Sequence, residues 1–295
     1  MKLPNSVKYV FRVLPGILFL LSATAKLFGI DEFELYVFSF GWFSLGSSYL
    51  LARLVIAAEY TAGLLLICNF HPGPAWWAGM GMLAAFSVFL AVLLLTGNRD
   101  NCHCFGEWVD LKPGASLVKN LAWMALMVPG YGIRPFRCRH KDLWLALAAI
   151  VPLATVLIVS PPDNWRYDSY ARHSMLNEEA FREAMDSDVL PASLQEGSHV
   201  VCFYSLKCRY CKMSAQKIVA LRARGEFSDA PIVAVFGRGE NTDTRPFLEE
   251  TGLGPEEIHF IEPADFLKIT NGAFPVIVLL DGTEVIATYN YRNLH

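Results

Sequence analysis

Two rhythms of apolar and polar positions divide the chain. Up to about residue 160 the apolar positions come in long runs, at 13–30, 48–70, 75–97, 117–131 and 143–160. Several of these approach the ~20 residues a helix needs to cross a bilayer. Beyond residue 165 the runs shorten and alternate in kind. Strands are expected at 199–205, 231–236, 258–261, 275–280 and 284–289, with helices at 212–224, 244–251 and 264–270 between them. Asp281-Gly282 marks a hairpin turn between the last two strands. The pattern predicts a membrane α-helical bundle, four helices plus a fifth span, over residues 1–162. A polar connector at 163–197 follows, with one helix at 177–185, and then an α/β domain at 198–295 whose sheet has an antiparallel edge.

Composition sharpens this picture. Of 295 residues, 54% are hydrophobic and only 18% charged, too apolar for an ordinary soluble enzyme, and the net charge of −3 gives no basis for nucleic-acid binding. Orientation follows from the basic residues. Lys2, Lys8 and Arg12 precede the first run, and Arg134, Arg137, Arg139, His140 and Lys141 crowd the loop before the last. The positive-inside rule places both in the cytoplasm. The acidic 31–34 loop, the loop around Cys102 and Cys104, and everything after Pro161 then lie outside, in the periplasm if the host membrane is a bacterial inner membrane. Ala23-Thr24-Ala25 also resembles a signal-peptide cleavage site, so a cleaved leader competes with a retained first helix. The retained helix is expected, and both readings put the two cysteine pairs in one compartment, where disulfides persist.

Cys208-Arg209-Tyr210-Cys211 falls between an apolar strand and a helix. A helix N-terminus leaves N–H groups unpaired and carries partial positive charge, which favours a thiolate at Cys208. A structural zinc half-site or a buried thiol pair is the bland alternative. Zinc would need a second ligand pair, and downstream only His259 and His295 are available. Cys202, on the preceding strand, reads as a core cysteine. Cys102-His103-Cys104 forms a second close group, suited to a strained, exchangeable disulfide or, alternatively, to a soft metal. Cys68 and Cys138 fall on the cytoplasmic side as ordinary thiols. Lys26, Arg53 and Glu59 lie within the apolar runs. They either pair to hold the bundle or line a proton or quinone pocket beneath Cys102 and Cys104.

Two resemblances rest on these motifs. The run Val200 to Tyr204 into Cys208-Arg209-Tyr210-Cys211, with Phe274-Pro275 before Val276 to Gly282, resembles the thioredoxin superfamily, especially its membrane-tethered TlpA/DsbE-like members. That resemblance implies Cys208 as nucleophile, Cys211 as resolving thiol, and a cis Pro275 with Phe274 at the lip of the substrate groove. Ser22 to Leu27, Arg53, Glu59 to Gly63, Cys102 to Glu107 and Asn120 resemble the DoxX-like family and its MauE branch, which is associated with thiol redox chemistry. Together they imply a membrane-anchored thiol–disulfide oxidoreductase. Cys208/Cys211 would exchange with exported client proteins and with Cys102/Cys104; no cofactor is required, and a quinone or partner redox protein would be the further electron carrier. The rival reading is a non-catalytic factor handling copper or zinc for exported proteins.

Overall fold

The structure is a computed structural model that describes residues 4–96, 112–136, 139–171, 175–227, 230–239 and 242–295. It divides into two compact units, Met1–Val37 with Ser47–Pro162, and Phe38–Gly46 with Asp163–His295.

The first unit is helical, with α1 at Asn5–Phe28, α2 at Ile30–Ser39, α3 at Leu45–Cys68, α4 at Pro72–Leu95, α5 at Pro113–Met127 and α6 at Lys141–Val159. Among the described residues, α1, α3, α4 and α6 are long and apolar enough to cross a membrane. In their most apolar windows only 22% of α4 and 11% of α6 is buried, which leaves apolar faces suited to lipid. The acidic stretch expected as a loop is instead the first turn of α2. Asp31 and Glu32 complement the positive end of that helix, while Ile30 and Phe33 turn into the helical core at helical spacing.

Small residues and buried polar contacts hold the bundle together. A Cβ on Gly63 would stand 2.8 Å from the Gly16 carbonyl oxygen, so α1 and α3 meet backbone to backbone only because both positions are glycine. At one end, Arg12 donates to Asn69 Oδ1 (3.1 Å) and to the Pro72 carbonyl (2.9 Å), and Lys8 Nζ donates to the Tyr131 carbonyl (3.0 Å). The start of α1, the α3–α4 turn and the segment after α5 therefore share that end. At the other end, Arg53 Nε donates to the Ser160 carbonyl (2.8 Å), and Arg53 Nη1 to Glu34, joining α3 to the end of α6 and to α2. α5 spans about 22 Å at ~1.5 Å per residue, and runs back towards the first end, where Trp76 Nε1 donates to the Met127 carbonyl (2.8 Å).

The second unit carries a five-stranded sheet: β1 at Ser198–Tyr204, β2 at Ile232–Gly237, β3 at Glu257–Ile261, β4 at Val276–Asp281 and β5 at Glu284–Tyr289. Its order is β3-β2-β1-β4-β5, with β1, β2 and β3 parallel and β4 and β5 antiparallel. Helices α9 (Arg209–Arg222), α10 (Arg245–Thr251) and α11 (Pro263–Ile269) connect the strands. The alternation of side chains along β1 separates two layers. Val201 and Phe203 face a core shared with Phe181 of α8 (Glu178–Asp186) and Phe266 of α11, and Cys202 and Tyr204 face the opposite way. The stretch expected as connector is thus only partly one. α7 occupies Tyr167–Ala171, Asn177 caps α8 through Ala180 N–H (3.2 Å), and Leu176, Leu190 and Leu194 belong to the sheet's core.

Candidate active site

Cys208 is the N-cap of α9. The loop after β1 turns through Ser205, whose carbonyl accepts from Cys208 N–H (3.0 Å), and the Cys211 N–H donates back to Cys208 Sγ (3.2 Å). A helix end is thereby capped by sulfur where a serine or aspartate oxygen is usual. The hydrogen bond from the Cys211 thiol, helped by the backbone N–H groups of Cys211 and Tyr210, holds the Cys208 thiol down to about 6 against its partial burial. Cys211 is fully buried, and burial first, then the bond to Cys208, pushes its thiol far up. Its sulfur accepts from Ser205 N–H (3.4 Å). Both are free thiols, one accessible and inclined to ionise, the other buried and inclined to stay protonated.

The register places the expected groove at the same end of the sheet. Phe203 pairs with Val276, so Pro275 stands just beyond the strand that leads into Cys208, and the Phe274–Pro275 bond is cis. Phe274 is partly exposed and its ring lies 6.0 Å from that of Phe266. Across the motif, Tyr210 is also partly exposed, 5.5 Å from the Tyr291 ring, with the Arg292 guanidinium 6.0 Å from its centroid. Tyr291 is fixed from below by Lys217 of α9, whose Nζ donates to its carbonyl (2.9 Å) and lies 5.0 Å from its ring. Reading the motif by itself missed this support; the aromatic-cation pair after β5 was the signal for it. Cys202 is a buried core thiol pushed up to about 12 by burial, as expected.

In the helical unit the structure brings Lys26 and Glu59 together, with Nζ to Oε1 at 2.8 Å and Ser22 Oγ also accepting from Nζ at 2.7 Å. Arg53 does not join them. It pairs with Glu34, in the stretch expected as a loop, and donates to the Tyr49 and Pro161 carbonyls (2.8 and 3.0 Å). Among the described residues Lys26 and Arg53 each have their own carboxylate, the arrangement that makes charge tolerable in an apolar bundle. An apolar cleft of ≈ 380 Å³ lined by Ala57, Thr61, Ala62, Ala78, Met82 and Leu153 includes none of them. Cys102, His103, Cys104 and Cys138 lie outside the described residues.

The strand order, the cis-proline and the capped Cys-x-x-Cys define the second unit as a thioredoxin-like domain, carried behind a membrane-spanning helical unit. Residues 4–133 match the family described as Methylamine utilisation protein MauE, so the helical unit is similar to that family and precedes the thioredoxin-like domain in the chain. Protein TlpB from Flavobacterium psychrophilum is 23% identical over 297 residues, covering 83% of this chain and 80% of its own length. Among solved structures, the thioredoxin domain of a thiol-disulfide oxidoreductase from Bacteroides vulgatus covers 33% of this chain and 73% of its own, at 16% identity and a TM-score of 0.29.

Proposed function

We propose that this membrane protein is a thiol–disulfide oxidoreductase whose exported thioredoxin-like domain exchanges disulfides with client proteins. The observation that carries the reading is the asymmetry of the dithiol, an accessible Cys208 thiol held down to about 6 beside a fully buried Cys211. A low-lying thiolate both attacks and leaves readily, and its stabilisation favours the reduced pair over the disulfide. The Cys208–Cys211 disulfide would then be an oxidant that hands its bond to client thiols. A client thiolate attacks Cys208, Cys211 leaves and takes a proton, and a second client thiolate displaces Cys208. One client disulfide forms and Cys208 and Cys211 end as thiols.

The reoxidising partner in this scheme is Cys102/Cys104 on the outer face, with the N-terminus cytoplasmic in a bacterial inner membrane. The shared end of α2 and the close of α6, opposite the basic segments near Lys8 and Lys141, supports that orientation. A membrane quinone would be the onward acceptor.

Trapping tests the exchange. In Cys211→Ser the Cys208 thiolate can still attack disulfides of exported proteins, expelling one client sulfur, but no second thiol resolves the adduct. Cys208 should therefore be caught in mixed disulfides visible on non-reducing gels and absent in Cys208→Ser. No adduct, together with stoichiometric copper or zinc in the purified chain, would favour the metal-handling alternative.

A further inference from the structure

Beneath the dithiol lie two hydroxyls that the exchange described above does not use. Tyr204 Oη and Ser214 Oγ are both fully buried, and neither makes a hydrogen bond of ordinary geometry among the described residues. Their placement follows from the fold. Cys202 and Tyr204 project from the face of β1 opposite the core formed by Val201 and Phe203. Ser214 is three residues after Cys211 on α9, and so a neighbour on the same helix face. Cys202, Ser214 and Cys211 are the polar groups around the Tyr204 hydroxyl. The two hydroxyls and the Cys202 thiol engage one another short of ordinary hydrogen-bond geometry. Buried hydroxyls so poorly satisfied cost stability, and a phenylalanine or alanine would remove the cost. Donors held in that way are free to turn to a better acceptor in a state other than the resting dithiol.

The exchange contains such a state. The client's attack on Cys208 expels Cys211 as a thiolate before it takes up its proton. In the reverse, resolving step, by which a client bonded to Cys208 is released without a second client thiol, Cys211 loses its proton and attacks Cys208. The Cys211–Cys208 bond forms, the Cys208–client bond breaks, and the departing client sulfur takes up a proton, so that the net proton passes from Cys211 to the client. Negative charge therefore appears on a sulfur at 0% exposure, where water cannot stabilise it and, among the described residues, the Ser205 N–H already donates to it.

We infer that the Tyr204 and Ser214 hydroxyls are positioning donors for the Cys211 thiolate, turning towards that sulfur as it ionises and so setting the rate of the resolving step. This rests on the dithiol-exchange reading above. The titratable groups that face Cys211 are Cys208 at the start of α9 and Tyr204 from β1, with Cys202 next to Tyr204 and Arg222 acting on Cys202 from the far end of α9.

The test uses the full chain in detergent and 5,5′-dithiobis(2-nitrobenzoate). Cys208 attack leaves a thionitrobenzoate adduct that Cys211 then expels, and acid quenching with peptide mapping gives the lifetime of that adduct. In Tyr204→Phe the adduct should form at the wild-type rate and last about tenfold longer, since a hydrogen bond to a charged group is lost. Ser214→Ala should lengthen it in the same direction, and in both the pH of half-maximal resolution should rise. A wild-type lifetime and pH profile in both variants overturns the inference, whatever the melting temperature does. If wild-type Cys208 forms no adduct, the exchange reading falls and this inference with it; normal adducts with unaltered resolution sink the inference alone.

Discussion

Cys208 is where protonation, reactivity and stability meet. Its thiol lies at about 6, against an ordinary 9.0, because hydrogen bonds from Cys211 and the first turn of α9 favour the thiolate. The sign for stability follows directly. Between those two values the folded dithiol binds fewer protons than the unfolded chain, so its stability rises with pH across that window. The contribution is complete above 9 and lost as pH falls through 6. The reduced protein should therefore melt higher at pH 8.5 than at pH 6 by a margin that Cys208→Ser abolishes, as followed by circular dichroism. Iodoacetamide alkylation mapped to Cys208 should have its midpoint near pH 6. A midpoint near 9 would mean that the N-cap geometry does not hold the thiolate.

At the scale of elements, α8 makes the most testable claim. Phe181 is 1% exposed and its ring stands 6.2 Å from that of Phe203, on the strand that leads into the motif. Phe181→Ala should cost about 3–5 kcal/mol, the range for removing a buried aromatic side chain, read as a lowered denaturation midpoint of the full chain with Cys208 reactivity as the probe. A loss below about 1 kcal/mol would return α8 to the status of a connector. The helix itself was legible, since Asn177 is an N-cap residue ahead of Glu178 and Glu179. Its burial was not, because local pattern says nothing of which distant sheet an apolar face meets. The strands could be placed almost to the residue, because β-branched runs bounded by turns leave few alternatives. α2 was missed for the opposite reason: acidic residues at 31–34 read as a loop until Arg53 is seen to supply Glu34 with a partner. The sequence allowed Glu59 either Lys26 or Arg53, and only packing chose Lys26. Tyr204 and Ser214 were hidden among apolar neighbours, although spacing of two from Cys202 and three from Cys211 was there to be read.

Joining a membrane-spanning helical unit similar to MauE to a thioredoxin-like domain raises the question of what the first does for the second. A dithiol whose thiolate is stabilised spends its disulfide readily and regains it with difficulty, so turnover needs a supply of oxidising equivalents. Cys102/Cys104 is the proposed supplier, and α4, running away from the Arg12 end of the helical unit, leads in the chain towards that pair. Asp163, next in the chain after Pro162 of the helical unit, is already buried in the second unit and accepts from Arg292 there (2.9 Å). A short link keeps the two dithiols at high effective concentration if its span allows them to meet. Replacing Cys102 and Cys104 by serine should then leave Cys208/Cys211 predominantly reduced in membranes, with no change in the alkylation midpoint of Cys208. Acid trapping followed by maleimide gel shifts reads the redox state directly. A shift towards the disulfide would mean that the relay runs reductively, and an unchanged ratio would show that the two dithiols do not exchange.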